Sequence, residues 1–281
     1  MSATFRDILR ARRFLNGGHR GASAYAPENT LPALELAVAQ DAVILEIDVR
    51  LTQDEEVVVI HDARVDRTTN GHGEVRLMTL SEIRALDAGH WFGTSWTGVR
   101  VPTLAEVLEQ FAGRVLIDVD MKDGTAVQPP GSSLDRDQSR RRRVVEDAAV
   151  STHLARKTLE VATHAGALDR IVLSGFGRHA LAWIRRAEPR VLTQWAIVSA
   201  DIAEDAARAA TEGFEVLSPQ MNGATRANVT RAHDHGLAVF LYAPDDADTM
   251  AELIEIGVDA VHVDRPDRLS ALLKDTKPPR W

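Results

Sequence analysis

The segment Val43-Ile44-Leu45-Glu46-Ile47-Asp48-Val49 restricts the fold more than any other stretch of the chain. A short, largely β-branched apolar run predicts a strand buried on both faces, the environment of a parallel sheet covered by helices. Two carboxylates interrupt it. Glu46 and Asp48 stand two residues apart, so the pleat turns both to the same side. A strand that must be buried and still carries two acids on one face needs something to compensate them.

The flanking sequence supplies a repeating context for that strand. Residues 14–18 read as a brief strand ending at His19. Pro27-Glu28-Asn29-Thr30 opens a helix whose apolar positions are Leu31, Leu34, Ala37 and Val38. Residues 57–60 form another short strand that extends the second and delivers His61. From residue 115 onward, strands at 115–121, 171–173, 191–198, 214–217, 237–242 and 258–263 alternate with helical patterns that end at residue 273. The total is about eight strand–helix units, in a chain close to the ~250 residues typical of a (β/α)8 TIM barrel. A doubly wound sheet is the competing α/β architecture, but no GxGxxG follows the first strand. One barrel domain over residues 1–281 is therefore expected.

Two stretches break the rhythm. Residues 63–101 hold a turn-rich run from Asp66 to Gly73, a Thr79-x-x-Glu82 capping box, and Trp91, Phe92 and Trp96 among glycines. They read as a small insertion after the second strand, folded over one end of the barrel. Thr103-x-x-Glu106 is a second capping box and returns the chain to a helix. Residues 123–138, rich in Pro, Gly, Ser and Asp, form a long loop on the catalytic face or a surface excursion. Arg140 to Arg143 follow, but Asp135, Asp137, Glu146 and Asp147 flank them, so a solvated helix face is favoured over an anion patch.

Composition removes several functions. Asp and Glu number 41 against 33 Lys and Arg, a net charge of -8, which argues against a nucleic-acid partner. With no cysteine, disulfides and thiolate zinc sites are excluded. The first residues are charged throughout and lack the apolar core of a signal peptide. No run approaches the ~18 apolar residues of a membrane span. A cytoplasmic protein without stable membrane insertion is the expectation.

On a parallel barrel, functional groups collect where strands end at their C-termini. His19 and Arg20 follow the first strand, Glu46 and Asp48 lie on the second, His61 lies beyond it, and Asp120 and Lys122 end the third. Glu46, Asp48 and Asp120 make a hard oxygen site for one divalent cation, Mg²⁺ or Ca²⁺. Removing Glu46 or Asp48 is expected to relieve like-charge repulsion. Arg20 and Lys122 suit a phosphoryl group, and His19 and His61 suit general acid and base roles near neutral pH. Asp118 shares the face of Asp120 and Lys122 and could simply pair with the lysine. His262 shares a face with Asp264 on the last strand and could reach the site, whereas the remaining histidines fall in loops or helices and read as solvated.

These residues also carry a resemblance. His19-Arg20-Gly21, Pro27-Glu28-Asn29-Thr30, Glu46-x-Asp48, His61-Asp62 and the run from Asp66 to Gly73 resemble, in that order, the glycerophosphodiester phosphodiesterase family. Weaker landmarks are the LDAGHWFG and VPTLAEVL runs, Ser174-Gly-Phe176, Gly257-Val-Asp259 and Asp264-Arg-Pro-Asp267. The resemblance implies a (β/α)8 barrel that hydrolyses a small glycerophosphodiester with a divalent cation. It implies His19 and His61 as the acid–base pair, Arg20 and Lys122 as phosphate ligands, and Glu46, Asp48 and Asp120 as metal ligands.

Three departures stand out. Asp120 occupies a position where the family usually has Glu, so its carboxylate reaches one methylene less. Tyr242-Ala-Pro-Asp245 stands where Trp-Thr-Val-Asn is usual, leaving Tyr242 as a possible substrate wall. The loop from Asp123 is long. Two rival functions are a lysophospholipase-D-like activity, with Trp91, Phe92 and Trp96 lining an apolar entrance, and a non-catalytic barrel that binds a phosphate ligand.

Overall fold

Eight parallel strands close on themselves in the computed structural model, which describes residues 4–11, 14–122 and 148–275. They are β1 (Leu15–His19), β2 (Ile44–Leu51), β4 (Leu116–Met121), β5 (Ile171–Gly175), β6 (Leu192–Ala196), β7 (Val216–Ser218), β8 (Ala238–Tyr242) and β9 (Ala260–Val263). Closure is explicit in the pairing, because β1 is parallel both to β2 and to β9. β3 (Val57–Val59) runs back antiparallel along the end of β2, with Val49 opposite Val59. The short strand expected at residues 57–60 is thus an extension of β2 rather than a stave of the barrel. The architecture is a TIM barrel.

Helices α2 (Leu31–Ala39), α4 (Leu104–Phe111), α5 (Ala148–His164), α6 (Arg178–Ala187), α7 (Ala203–Glu212), α8 (Arg226–Asp234), α9 (Ala247–Ile256) and α10 (Pro266–Asp275) alternate with the strands. Their starts follow local chemistry. Thr30, Thr103, Thr225 and Asp246 each accept a backbone N–H of the first turn, and Glu106 closes a capping box on Thr103. The main apolar layer lies between the outer faces of the strands and these helices, from Leu45, Ile47 and Val49 to Leu104, Leu108 and Phe111. That is why the strands read as continuous apolar runs.

Inside the barrel the alternation separates three levels. At the N-terminal end Leu15, Ile44, Leu116, Val172, Leu192, Val216, Phe240 and Ala260 pack together. Phe5 completes this layer from α1 (Phe5–Arg10), stacked on Phe240 with ring centroids 6.3 Å apart. No element is predicted there from sequence, although Thr4 and Asp7 form a capping box that fixes the helix. One level up, His262 Nε2 lies 3.2 Å from Asp118 Oδ2, and Ser174 Oγ donates to Asp118 Oδ1. Gly17 makes room for that imidazole, since a Cβ there would lie 2.2 Å from His262 Nδ1. Asp118 therefore pairs with His262 and Ser174, not with Lys122. The third level, at the C-terminal ends, holds the candidate site.

Residues 63–101, between β3 and α4, contain α3 (Leu80–Arg84), and their Val65, Val75, Ile83, Ala88 and Val101 pack in one cluster with Val58 of β3 and Ile60. Asp87 organises part of this segment by accepting N–H bonds from Gly89, His90 and Gly98. The loop expected at residues 123–138 and the Arg140–Arg143 run lie outside the described residues. Among the described residues, no helix is long and apolar enough to cross a membrane. His233, expected to be solvated, instead pairs with Asp259 at 2.8 Å.

Candidate active site

The geometry of the site starts at the end of β1. Arg20 takes a left-handed backbone (φ +56°) and Gly21 follows at φ +85°. The turn presses Gly21 so close to α2 that a Cβ would lie 2.6 Å from the Ala33 carbonyl. Its effect is to aim the Arg20 N–H at Glu46 Oε2 (3.0 Å) while the side chain turns to Asp48 Oδ2 (Nε, 3.1 Å) and Glu28 Oε1 (Nη1, 2.9 Å).

Pro27-Glu28-Asn29-Thr30 then acquires a physical meaning. Asn29, also left-handed at φ +58°, donates from Nδ2 to Asp48 Oδ2 (2.8 Å) and accepts the Asp48 N–H on Oδ1 (3.2 Å). Glu28 is shared by Arg20 and Arg67, and Thr30 caps α2. The motif is a clamp that fixes Asp48 and hands one arginine from the barrel to another in the 63–101 segment.

Glu46, Asp48 and Asp120 come together, with one carboxylate oxygen from each lying within 4.8 Å of the others. Strand register explains it, because Asp48 on β2 stands directly opposite Asp120 on β4. Lys122 Nζ lies 3.0 Å from Asp48 Oδ1 and also pairs with Asp120. Asp120 Oδ1 is buried and receives no hydrogen bond. Hard divalent ions take oxygens at about 2.0–2.6 Å, which spaces neighbouring ligands about 3–5 Å apart. The three carboxylates therefore fit such an ion, and Asp120 keeps one oxygen unused by the protein.

The carboxylates are not equivalent. Burial, reinforced by the adjacent Asp48 charge, raises Glu46 well above the ordinary carboxylate range. Burial also works to raise Asp48, but Lys122 and Arg20 outweigh it and hold that group far below its usual value. Asp48 thus repels Glu46 and is at the same time the counter-ion of two cations, so its removal would trade relief of repulsion against the loss of that pairing. Lys122 and Arg20 are buried too, yet Asp120 and Asp48 on the lysine, and Asp48 and Glu28 on the arginine, push both further toward the charged form.

His19 and His61 are held in the same way. His19 Nδ1 lies 2.7 Å from Asp264 Oδ1, leaving Nε2 directed toward Glu46 at 4.0 Å. Burial, above all, lowers its proton affinity, against the opposing pull of Asp264. His61 Nδ1 lies 2.6 Å from Asp62 Oδ1. Asp62 is gripped by Arg67, whose Nε donates to Oδ2 at 2.7 Å. Tyr242 covers His19 with ring centroids 4.2 Å apart, and its hydroxyl, 3.4 Å from Asp264 Oδ2, is pushed up to about 12 by burial and by Asp264.

His19, Arg20, Glu46, Asp48, His61, Asp120, Lys122 and Tyr242 thus lie at one mouth of the barrel. Sequence reasoning missed Asp264 and Arg67 as partners of the two histidine systems, and Asn29 as the clamp on Asp48. Each sits in a motif that was noticed, but nothing in a motif states which side chain it will meet. His262 is one level below the mouth. A cavity of about 450 Å³ elsewhere, between α6 and the end of α7, is lined by Arg178, His179, Arg185, Arg186 and Glu212 and includes none of these groups.

The glycerophosphoryl diester phosphodiesterase family model matches residues 19–268. This chain belongs to that family. Its members are phosphoric diester hydrolases. A glycerophosphodiester phosphodiesterase of Caldanaerobacter subterraneus is 30% identical over 257 residues, 91% of this chain and 96% of that protein. One from Bacillus subtilis is 29% identical over 272 residues, 93% and 87% of the two chains. A 52% identical match to the Bacillus subtilis protein YhdW is confined to 104 residues, 37% of this chain and 43% of that protein. Among solved structures, an Oleispira antarctica phosphodiesterase in complex with the product sn-glycerol-3-phosphate superposes with a TM-score of 0.78 at 25% identity, over 92% of this chain and 96% of that one.

Proposed function

We propose that the protein hydrolyses glycerophosphodiesters to glycerol phosphate and an alcohol. The observation that carries this reading is the single cluster of Glu46, Asp48 and Asp120, flanked by Arg20 and Lys122 and by two histidines each held at Nδ1 by a carboxylate. The family membership and the product complex of the Oleispira protein support the same substrate class.

Glu46, Asp48 and Asp120 would hold one divalent cation, Mg²⁺ or Ca²⁺, which when bound polarises phosphoryl oxygens and offsets developing negative charge. Arg20 and Lys122 bind the non-bridging oxygens of the phosphate, turning from the carboxylates that hold them when no substrate is present. His19, its proton affinity lowered by burial and its ring oriented by Asp264, takes a proton on Nε2 from the oxygen that bonds to phosphorus. That oxygen is either water, which gives glycerol phosphate directly, or the neighbouring hydroxyl of the substrate, which gives a cyclic phosphate that a water then opens. The bond from phosphorus to the leaving alcohol breaks. His61, oriented by Asp62, gives its Nε2 proton to the departing alkoxide. Tyr242 packs on the His19 ring and forms a wall for the substrate.

Glycerophosphocholine turnover in the presence and absence of EDTA tests the activity and its metal dependence together. The division between the histidines is tested by leaving groups. His61→Ala should slow glycerophosphocholine by ~10²- to 10⁴-fold, but an activated aryl diester far less, because a phenolate leaves without protonation. His19→Ala should slow both alike. Equal losses in the two variants on both substrates would refute the assignment, and full activity in EDTA would refute the metal.

A further inference from the structure

The two histidines of the proposed mechanism stand on different supports. His19 ends β1, which the closed sheet holds between β2 and β9. His61 lies two residues past β3, at the outer edge of the sheet beside β2. Its side chain is 32% exposed against 16% for His19, so the ring depends more on its partner, Asp62. Asp62 is 27% exposed and adjoins His61 in sequence. A carboxylate so placed keeps one orientation only if a further group holds it. That group is Arg67, which among the described residues is the one hydrogen-bond partner of Asp62 besides His61.

Arg67 is forked between two carboxylates. Nε and Nη2 donate to Asp62 Oδ2 and Oδ1 at 2.7 and 3.2 Å, while Nη1 and Nη2 donate to Glu28 Oε2 and Oε1 at 2.7 and 2.8 Å. A planar guanidinium bound along two edges has its orientation set. Glu28 is the anchor, largely buried and held from the other side by Arg20 Nη1 at 2.9 Å. Burial works to raise Asp62, but the bonds from His61 and Arg67 outweigh it and hold that carboxyl well below its usual value. An ionised Asp62 accepts the Nδ1 proton of His61, which leaves Nε2 to face the substrate. The backbone that carries Arg67 is fixed too, since Thr68 and Thr69 are buried and Thr69 Oγ1 donates to the Val65 carbonyl. The aromatic trio of the 63–101 segment is differently placed. Trp91 donates its indole N–H to the Ala88 carbonyl and meets Phe92 edge-on, so it packs within its own segment.

We infer that Arg67 is a positioning residue for the acid: Glu28 fixes the guanidinium, the guanidinium fixes Asp62, and Asp62 fixes His61 toward the leaving alcohol. The 63–101 segment thereby completes a site that the barrel strands begin. The inference rests on the proposed hydrolase reading and on His61 as its acid. Arg67 acts through other groups and does not touch the reacting atoms. Its effect is therefore confined to substrates whose leaving group must be protonated.

The test measures kcat of the full chain on glycerophosphocholine and on the para-nitrophenyl ester of glycerol phosphate. Arg67→Met should slow the choline ester by ~10- to 100-fold, part of the whole value of a general acid, and leave the nitrophenyl ester within about threefold. Arg67→Lys keeps the charge without the two-edged fork and should recover only part of the loss, which keeps the test open if Arg67→Met fails to fold. In a His61→Ala background Arg67→Met should add less than about threefold, because the group it positions is gone. Arg84→Met breaks the pair of Arg84 with Glu106 elsewhere on the segment and should leave both substrates unchanged. Equal losses on the two substrates in Arg67→Met, a full further loss in the double variant, or the same selective loss in Arg84→Met each overturns the inference and leaves the hydrolase reading standing. A His61→Ala loss that is equal on both substrates overturns the acid assignment and this inference with it. No turnover of any diester by the wild type overturns the hydrolase reading itself.

Discussion

The two ends of the barrel interior are made by the same strands and have opposite chemistry. At the N-terminal end Leu15, Ile44, Leu116 and Phe240 close around Phe5. At the C-terminal end the same strands present His19, Glu46 with Asp48, Asp120 and Tyr242. On β1, Leu15 and His19 are four residues apart, about 13 Å along the strand. Over that distance the environment changes from one that tolerates no charge to one that concentrates them. The apolar end gains free energy from burial. The charged end holds groups whose compensation depends on a few contacts, and it therefore carries the chemistry at a cost in stability.

That contrast can be broken by substitution, and the largest effect is expected at Asp48. Asp48→Ala removes a candidate metal ligand, so kcat/KM should fall by ~10³-fold or more. It also leaves Arg20 and Lys122 without their shared counter-ion, at a cost of about 3–5 kcal/mol. Steady-state kinetics and thermal unfolding in the same buffer measure both, and an unchanged melting temperature would contradict the counter-ion role.

Phe240→Ala probes the other end. The cavity left beside Phe5 should cost about 3–5 kcal/mol, with kcat of the folded protein nearly unchanged. A kcat loss as large as that of Asp48→Ala would show that the two ends are not separable.

Asp264→Asn should be milder. It keeps the shape but weakens the hold on His19 Nδ1, so kcat should drop about 10- to 100-fold, part of the total value of a general base. KM and melting temperature should move little. A loss confined to KM would assign Asp264 to substrate binding instead.

The smallest effect concerns pH. Glu46 has a folded-state proton affinity above its unfolded one. Its ionisation therefore costs stability as pH rises from the ordinary carboxylate range through the raised folded value, with no further cost above it. In EDTA, Glu46→Gln should remove that part of the pH dependence and raise the melting temperature at neutral pH by about 2–4 °C. No such slope should change in Phe240→Ala. A Glu46→Gln protein that melts lower than wild type in EDTA would mean that the Arg20 N–H bond to Glu46 outweighs the repulsion.

The sequence determined the strands, their faces and the kinds of chemistry they carry. Alternation sends Glu46 and Asp48 to one side whatever the rest of the chain does, and apolar runs with helices between them admit few folds besides a parallel barrel. The helix starts at Thr30 and Thr103 were legible because a cap is a contact within four residues. Phe5 was not, because its value lies in the layer it plugs and not in its own helix. Partnership was decided only by the tertiary structure. Lys122 meets Asp48 rather than Asp118, His19 meets Asp264 from the last strand, and Arg67 joins Glu28 to Asp62. The cause is closure. The register between β1, β2 and β9 sets which inward side chains share a level. That register follows from packing all eight strands at once, so no local stretch of sequence encodes it.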